Sequence, residues 1–525
     1  MANWRSFGDR MLYCHRSILK TWCNSTNPAI FHNSSIGGGG GGGLLLGGGG
    51  CFRKAATFLP IRHCCCCCSS SSPPVSPPRS LSSLPLLMVP PGVAVFDHNN
   101  SENNESNNNN NNNEEDYFHF VSLSEQSQIR VRKNLSIPWQ RDLLMPNKAF
   151  CVGSSHGWLA FNHPRNCHPY LYNPLIDSPH IPYIPLPSVE TLPTVRGVRS
   201  LKSDHSSPSP SLITQFLILL HQNNDIRMDT FEETLSSRRM SGCYVTKLAM
   251  SSSPSLPCYS SSSKPELDDN NDCTIMAIYG SNEAIAFCKP GNDRWTVLDG
   301  LFKAYGDIIY FSKDQRFYAM NSYDSIEAWD LTDPSCPKNQ VFDKISFGLK
   351  KPGAKFDGSY NCVLDHYLVE SSGNLLLVSR YKAVSVDRTG IVHPRRLEEK
   401  VVVNNNDNEE WESHFLHDDA AYWTLGFDVH RLDFDCNKWE PVECLGDRAL
   451  FVGTNHSFSL STLDYPELTG NSIYFTDDNF IAFNDTYRGH DNGVFHLKDN
   501  NIKPCYPNRL KIFDPHPIWV APNTI

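Results

Sequence analysis

The sequence predicts an all-β protein. From about Leu84 onward, short apolar runs alternate with clusters of turn-forming residues, and a helical period is almost absent. A unit of turn, charged residue, Trp and apolar strand occurs at 292–297 and again at 436–442, each time followed by a second apolar strand, and 471–476 repeats the second half. Aromatic residues make up 11% of the chain, which is enough for a large core. A repeat of roughly 40–60 residues with one Trp is typical of a β-propeller. We therefore predict about six blades, with five or seven as alternatives, behind a disordered N-terminal leader.

Residues 1–83 form the predicted leader, which is rich in Gly, Cys, Ser and Pro runs. Residues 1–96 contain eight basic residues and one acidic residue, so their net charge is +7, against −17 for the remaining 429 residues and −10 for the whole chain. Residues 11–22 would form a cationic amphipathic helix. This composition indicates an organellar transit peptide for the mitochondrion, with the chloroplast as the alternative. If the match is a chance feature of a disordered tail, the expected location is the nucleus or cytoplasm.

The leader is neither a secretory signal nor a cofactor site by its sequence. It contains no apolar stretch that ends in a small-residue cleavage site, and the whole chain lacks the roughly 20-residue apolar run that a bilayer requires. The glycines at 37–50 are followed by Cys51 and Phe52 instead of the Lys and Ser/Thr of a phosphate loop. The five adjacent cysteines at 64–68 lack the spacing of a metal site. We expect no stable membrane insertion.

The propeller is predicted to occupy residues 84–505, followed by a C-terminal tail at 506–525. Polar, disordered insertions are expected at 99–113, 251–272 and 404–410. Trp295, Trp329 and Trp439 are interpreted as residues that pack blades together. The candidate strands are Phe118–Leu123, Trp158–Asn162, Thr214–His221, Val245–Met250, Thr274–Tyr279, Glu283–Cys288, Trp295–Leu298, Ile308–Ser312, Arg316–Met320, Ile326–Asp330, Tyr367–Glu370, Asn374–Tyr381, Phe427–Asp433, Ala449–Gly453, Ser457–Ser461, Ser472–Thr476 and Gly493–Lys498.

Charge and cysteine usage restrict the partners and the compartment. A net charge of −17 on the folded part argues against a nucleic-acid-binding surface, which needs basic residues to neutralise phosphates. The eleven cysteines from Cys151 onward are odd in number and have no framework spacing. This pattern favours buried free thiols in a reducing compartment.

Three motifs resemble catalytic or metal sites, and each has a structural explanation. Residues 153–157 match the G-x-S-x-G pattern of a hydrolase nucleophile at Ser155, but a strand instead of a helix is predicted to follow, so a tight β-turn explains the glycines. The residues Cys151, His156, His163, Cys167 and His168 could bind zinc, but they lack paired ligand spacing.

The third motif is a partial calcium loop. Asp268, Asn270 and Asp272 begin it, but Cys273 and Tyr279 stand where the loop needs Gly and Glu. The sequence therefore identifies no catalytic, cofactor-binding or metal-binding residue, and we expect no enzyme.

An ordered series of motifs is similar to one plant family. The motifs are LPLLMVPP at Leu84–Pro91, VSLSEQ at Val121–Gln126, CVGSSHGWLAF at Cys151–Phe161, YNPLIDSPHIPYIPLP at Tyr172–Pro187, AIYGSNEAIAFCKPGNDRWTVLDG at Ala277–Gly300, DIIYFSKDQRFYAM at Asp307–Met320, YLVESSGNLLLVSRY at Tyr367–Tyr381, and the segments Gly426–Ser461 and Gly470–Asp478. The chain resembles the KIB-type β-propeller family of plants, a domain of unknown function, over about 84–505. The resemblance implies a β-propeller and supplies no catalytic residues.

Many members of that family resemble F-box proteins, in which an N-terminal F-box binds the Skp1 adaptor of a ubiquitin ligase and the propeller holds the substrate. Residues 1–83 do not have the pattern of that helical bundle, so we expect an organellar member without an F-box, and a Skp1-type partner is doubtful. The expected function is non-catalytic binding of an unknown protein. The alternatives are a ubiquitin-ligase substrate adaptor with a lost or degenerate F-box and, second, a hydrolase that uses Ser155.

Overall fold

A computed structural model of the chain describes fifteen ranges: residues 85–89, 117–123, 127–132, 150–163, 166–176, 183–202, 212–224, 227–255, 272–321, 325–342, 362–384, 422–454, 456–478, 489–505 and 516–522. The predicted leader at 1–83 and the predicted insertions at 99–113 and 404–410 lie outside these ranges. So does the predicted insertion at 251–272, apart from 251–255 and 272.

Strands account for most of the described residues. They are β1 (Leu86–Val89), β2 (Tyr117–Ser122), β3 (Ser127–Arg132), β4 (Phe150–Ser155), β5 (Trp158–Asn162), β6 (Pro169–Tyr172), β7 (Tyr183–Pro185), β8 (Val195–Lys202), β9 (Leu212–Asn224), β10 (Arg227–Ser236), β11 (Val245–Met250), β12 (Ile275–Tyr279), β13 (Ala284–Cys288), β14 (Thr296–Leu298), β15 (Tyr305–Phe311), β16 (Arg316–Asn321), β17 (Ile326–Asp330), β18 (Lys338–Phe342), β19 (Cys362–Ser371), β20 (Asn374–Val384), β21 (Tyr422–Asp433), β22 (Lys438–Pro441), β23 (Arg448–Val452), β24 (Phe458–Ser461), β25 (Ser472–Phe475), β26 (Gly493–His496), β27 (Asn501–Lys503) and β28 (Ile518–Val520). Helix in the described ranges is limited to α1 (Ser237–Cys243) and a 3₁₀ turn at Val189–Thr191.

Six of the sheets formed by the described residues are blades arranged around a ring. Blade 1 has the order β28-β1-β2-β3, and blades 2 to 5 are β4–β7, β11–β14, β15–β18 and β19–β22, each in chain order. Blade 6 has five strands in the order β24-β23-β25-β26-β27. The first strands of successive blades, β28, β4, β11, β15, β19 and β24, contact each other in series, so they surround the axis. The predicted all-β propeller is confirmed, with six blades.

Burial within each blade decreases from the axis outward. The two middle strands of blade 3, β12 and β13, are buried at every position because neighbouring blades cover both of their faces. The outermost strands β14 and β18 are mostly exposed. This explains why the middle strands are continuous apolar runs instead of alternating ones, as expected for sheets covered on both faces.

Two-residue turns of the predicted kind connect several hairpins. Ser372 and Gly373 have φ values of 50° and 69°, and Ser371 pairs with Asn374 across them. Two successive positive φ angles give a type I′ turn, whose twist matches that of the flanking strands.

Blade 6 differs from the other blades. Its strand β25 pairs in parallel with β23 and antiparallel with β26. The repeat predicted at 471–476 is therefore a strand, but it does not form the same hairpin as the earlier copies. A further three-stranded sheet, β10-β9-β8, stands between blades 2 and 3 in the chain and was predicted only in part, at 214–221.

The C-terminal strand β28 closes the ring. It pairs with β1 of blade 1, with Leu86 opposite Val520. Just beyond it, Ala521 accepts a hydrogen bond from the Gly157 amide of blade 2 at 2.8 Å, and the Trp519 ring lies 5.1 Å from the Phe451 ring of blade 6. One short strand thus contacts three blades. The sequence predicts a C-terminal tail at 506–525, whereas the structure places Ile518–Val520 inside the propeller.

Candidate functional site

Ser155 lies at the end of β4 and faces Trp158 across a two-residue turn. The turn residues His156 and Gly157 have φ values of 51° and 76°, so the glycine serves the predicted β-turn, and β5 follows instead of a helix. The Ser155 side chain is buried, and its Oγ lies 2.8 Å from Nδ1 of His156. Burial lowers the pKa of His156 below its usual value. Because Ser155 ends a regular antiparallel hairpin, it lacks the strained strand-to-helix turn of a hydrolase nucleophile.

The five possible zinc ligands separate into two groups. His156 lies at the hairpin end of β4. Cys151 and the β5–β6 loop, which carries the other three residues, lie at the opposite end of this six-residue strand, roughly 17 Å away. Cys151 and Cys167 belong to different core clusters and donate to different carbonyl oxygens, those of Gly153 and Ser237. Burial raises the pKa of the Cys151 thiol to about 12, as expected for the buried Cys that the sequence favoured.

The remaining two histidines of this group have local structural roles. The Nδ1 of His163 accepts a hydrogen bond from the amide of Asn166 at 3.2 Å. The Nε2 of His168 lies 2.9 Å from Oγ of Ser188. Among the described residues, three or more His, Cys, Asp or Glu side chains nowhere converge as metal ligands would. Within the same ranges, no helix has the length and apolar character needed to span a membrane.

The inner strands of blades 2, 3 and 4 share a backbone irregularity near the axis. The register shifts between Cys151 and Gly153 in β4, between Val245 and Lys247 in β11, and between Tyr305 and Asp307 in β15. A β-bulge turns the next side chain toward a new direction. The residues that follow the bulges in β11 and β15 are Lys247 and Asp307, and they form a buried ion pair between blades 3 and 4.

Asp307 also connects its own blade to blade 5. Its Oδ1 accepts a hydrogen bond from the Ile308 amide at 2.8 Å, and its Oδ2 accepts one from the Leu368 amide of β19 at 2.7 Å. A buried carboxylate of this kind is stable only with such partners. The pair of Lys247 and Asp307 therefore holds three consecutive blades together near the axis.

His456 lies at the same axial region, before β24 of blade 6. It is 8% exposed, and burial lowers its pKa to about 3, with further contributions from His156 and Lys247. Residues from blades 2, 3 and 6 are therefore close enough to interact electrostatically. We call Lys247, Asp307, His156 and His456 the axial cluster.

A second buried polar network joins blades 5 and 6, and Arg380 of β20 is its centre. The Arg380 side chain is fully buried. Its guanidinium donates to the Asp491 carboxylate at 2.9 Å, to the Thr476 carbonyl at 2.8 Å and to the Asp478 carboxylate at 3.3 Å. Its Nε donates to Oγ1 of Thr424 at 2.7 Å. All five donors of a guanidinium must be satisfied when it is buried, and this site provides oxygen acceptors from both blades.

Further charges complete the network. Lys382 forms ion pairs with Asp365 and, at 3.0 Å, with Asp478. The hydroxyl of Tyr367 donates to Asp478, and that of Tyr422 donates to Asp477 at 2.6 Å. We call this set the seam network.

Electrostatic interactions keep Arg380 and Asp478 of the seam network ionised. Burial by itself would lower the pKa of Arg380, but Tyr367 and the carboxylates of Asp491 and Asp478 outweigh it and raise the pKa well above its usual value. For Asp478, burial acts to raise the pKa, yet the attraction of Lys382 and Arg380 leaves it below the usual value. Arg380 and Asp478 thus stay charged over the physiological pH range, and their ion pair joins the two blades.

The packing role of the three tryptophans follows from the sequence, whereas the two polar clusters do not. Trp295, Trp329 and Trp439 are all at most 4% exposed, as predicted. Each cluster joins residues that are distant in the sequence: Lys247 and Asp307 are 60 positions apart, and Arg380 and Asp491 are 111 positions apart. The available signal is Arg380 inside the predicted strand Asn374–Tyr381, with Lys382 directly after it, since charges in a buried strand need partners.

Comparisons with known proteins agree with this architecture. The family model described as KIB1-4 beta-propeller matches residues 120–496, more than half of the chain. The F-box protein SKIP23 of Arabidopsis thaliana is 25% identical over 260 residues, which are 49% of this chain and 55% of SKIP23. The F-box protein At2g26160 of the same plant is 40% identical over 210 residues, 39% of this chain and 50% of that protein. The chain thus spans about half the length of these curated relatives.

Among solved structures, the major Malassezia sympodialis allergen Mala s 1 aligns with 71% of this chain and 95% of its own, at 10% identity and a TM-score of 0.19. A TM-score this low supports no conclusion about fold or function.

Proposed function

The chain belongs to the KIB1-4 beta-propeller family, and from this premise we propose that it is a non-catalytic protein-interaction module that acts in the mitochondrion. One observation carries the proposal: the ring is closed by β28 and fixed at its axis and at one seam by buried ion networks. A rigid ring presents its turns and seams in fixed positions, so a partner does not have to order them on binding. Binding surfaces of this kind need no catalytic geometry, and the serine and zinc motifs serve as a turn and as buried or loop residues.

Protein binding is tested by cross-linking in plant cells that express the full chain with a C-terminal affinity tag. We expect one or a few proteins to be cross-linked reproducibly, and to be lost when a purified excess of untagged chain competes. If no cross-linked protein is lost when the untagged chain competes, the interaction role is contradicted.

The mitochondrial part of the proposal rests on the basic, acid-poor leader, and it is tested by localisation. The full chain and a version starting at Leu84 are compared in plant cells, each with a C-terminal fluorescent tag. We expect a mitochondrial signal that the shorter version lacks. A plastid signal would favour the chloroplast, and diffuse nuclear and cytosolic signal from both would contradict organellar targeting.

The second candidate function is substrate adaptor of a ubiquitin ligase, because the relatives named above are F-box proteins. Binding of the purified full chain to a plant Skp1 protein, measured by calorimetry, distinguishes the two candidates. The proposed non-adaptor role predicts no heat of binding, whereas micromolar or tighter binding would establish the adaptor role.

The non-catalytic part of the proposal is tested with the purified full chain. A fluorophosphonate serine probe should leave Ser155 unlabelled, and metal analysis should find no stoichiometric zinc. Labelling that is lost in Ser155→Ala would instead identify a serine hydrolase.

A further inference from the structure

A groove opens on the outside of the ring between blades 5 and 6, away from the axial cluster. One side is formed by β21 and the residues that follow β22, and the other side by the turn after β26. The groove has a volume of about 200 Å³. Its lining residues are Phe427, Asp428, Val429, His430, Pro441, Val442, Glu443, Leu497 and Asn500.

The floor of the groove is apolar. Phe427 and Val429 are buried, and the partly exposed Val442 and Leu497 pack against the same core cluster. A cavity of about 150 Å³ lined by apolar side chains accepts a benzene ring, so this groove has room for one Leu, Met or Phe side chain of a partner. The exposed Pro441, Glu443 and Asn500 leave it open to solvent.

The polar residues of the groove favour positive charge. Its lining includes the carboxylates of Asp428 and Glu443 but no Lys or Arg. The Asp428 carboxylate accepts the Tyr381 hydroxyl at 2.7 Å, which fixes its position. Burial lowers the pKa of His430 below its usual value, so this histidine adds no positive charge at neutral pH. A ligand that pairs an apolar side chain with a nearby cation would pack against the apolar floor and form ion pairs with the two carboxylates.

The groove is also preorganised by the seam network. The Phe427 ring contacts the Phe475 and Phe495 rings at 5.2 and 5.3 Å, which joins the floor to blade 6. The Arg380 guanidinium lies over the Phe475 ring at 4.8 Å, so the charges that join the blades support the back of the groove. A recess with a fixed shape binds without a large ordering cost.

We propose that this groove is the docking site for an extended segment of a protein partner that carries an apolar side chain within two positions of a Lys or Arg. The proposal rests on the proposed function, since it identifies where the interaction module binds and which chemistry it recognises. The apolar side chain enters the recess formed by Phe427, Val442 and Leu497, and the cation lies against Glu443 and Asp428.

The test uses random 12-residue peptides displayed on phage and selected on the immobilised full chain. Selected peptides are then synthesised, and their binding is measured by fluorescence anisotropy to the original protein, Glu443→Lys and Leu497→Asp. Glu443 is exposed, so its substitution should leave folding intact even if Leu497→Asp does not. The matched controls are Glu190→Lys, on the connection between blades 2 and 3, and Leu463→Asp, at an 83% exposed leucine of blade 6.

We expect selected peptides to share an apolar residue within two positions of a basic one. They should bind at least tenfold more weakly to Glu443→Lys and Leu497→Asp, and within twofold of the original affinity to the controls. Acidic peptides, equal binding to all variants, or no selected peptide would overturn the assignment. Cross-linking in plant cells separates this failure from that of the proposed function. If the full chain and both groove variants capture the same competed partner, the chain binds protein elsewhere and only the groove assignment is wrong.

Discussion

The single side chain of Arg380 joins blade 5 to blade 6 through hydrogen bonds and ion pairs. Its partners at 476–478 and 491 lie in blade 6 and the residues that flank its strands, while its own strand is in the middle of blade 5. Replacing a buried ion pair by apolar residues can be neutral, but removal of one partner leaves an uncompensated charge in a medium that solvates it poorly. Without Arg380, the Asp491 carboxylate would be left in that position, and Asp478 would keep only Lys382 as an ion-pair partner.

We therefore expect Arg380→Met to lower the free energy of unfolding by about 3–5 kcal/mol, the usual result of breaking a buried pair. The matched control is Arg431→Met on the adjacent strand β21. Arg431 pairs with Glu440 at 2.8 Å, but about half of each side chain is exposed, so its loss should cost less than about 1 kcal/mol. Urea unfolding of both variants measures the difference, and equal effects would contradict the importance of the seam network.

His456 makes the free energy of unfolding depend on pH, and the sign of this dependence follows from the burial of its side chain. The pKa is about 3 in the folded protein and near 6.5 in an unfolded chain. Between these values the unfolded chain binds a proton that the folded protein does not, so this contribution to stability is complete above pH 6.5 and is lost as the pH falls. From pH 7 to 5.5, the free energy of unfolding of the original protein should fall by roughly 1 kcal/mol more than that of His456→Gln.

Urea unfolding at a series of pH values measures this difference. The two profiles should run parallel between pH 7.5 and 8.5, where the histidine is neutral in both states. A constant offset down to pH 5.5 would show that His456 contributes by packing alone.

At the scale of elements, the bulged inner strands determine how closely neighbouring blades approach each other near the axis. A Cβ atom at Gly153 of β4 would lie 2.9 Å from the Leu248 carbonyl oxygen of β11, closer than such atoms approach in proteins. Gly306 of β15 lies at a bulge of the same kind, but a Cβ there would have open space. Glycine is therefore required at the first position by its neighbour and not at the second.

This difference provides a matched pair of substitutions. Gly153→Ala should push blades 2 and 3 apart and lower the free energy of unfolding by about 1–3 kcal/mol, as overpacking does. Gly306→Ala should change it by no more than about 0.5 kcal/mol. Thermal and urea unfolding test both, and a larger effect at Gly306 would show that the bulge geometry, not the blade spacing, sets the requirement.

The strands that could be predicted from the sequence are the apolar ones near the middle of each blade. All seventeen candidate strands overlap strands of the structure, because burial on both faces gives continuous apolar runs. The missed strands are mainly at the edges, such as β3 with its half-exposed SQIRVR sequence, where the apolar signal is weak. The parallel pair of β23 and β25 and the seam network depend on contacts between distant residues, which no local pattern encodes.

At the scale of the whole molecule, ring closure depends on one of the shortest strands among the described residues. The strand β28 has three residues, yet it pairs with blade 1 and packs against blade 6 through Trp519, and the adjacent Ala521 bonds to blade 2. The sequence predicts a tail here because four apolar residues between two prolines resemble a linker more than a strand. A ring whose first and last strands meet in one sheet is held closed by backbone hydrogen bonds as well as by side-chain packing, and its remaining sheet edges are short and protected.

Trp519→Ala tests this closure. The side chain is fully buried, so its removal should lower the free energy of unfolding by about 3–5 kcal/mol. Trp295→Ala is the matched control, because Trp295 is nearly as buried but packs in blade 3, where its indole donates to the Pro187 carbonyl at 2.9 Å. Both variants should lose stability, but hydrogen exchange should separate them. Only Trp519→Ala should expose the Gly157 amide and those amides of Leu86–Met88 that face β28, which the closing segment protects. If these amides exchange equally fast in both variants, the blades are held in the ring by their other interfaces and not by β28.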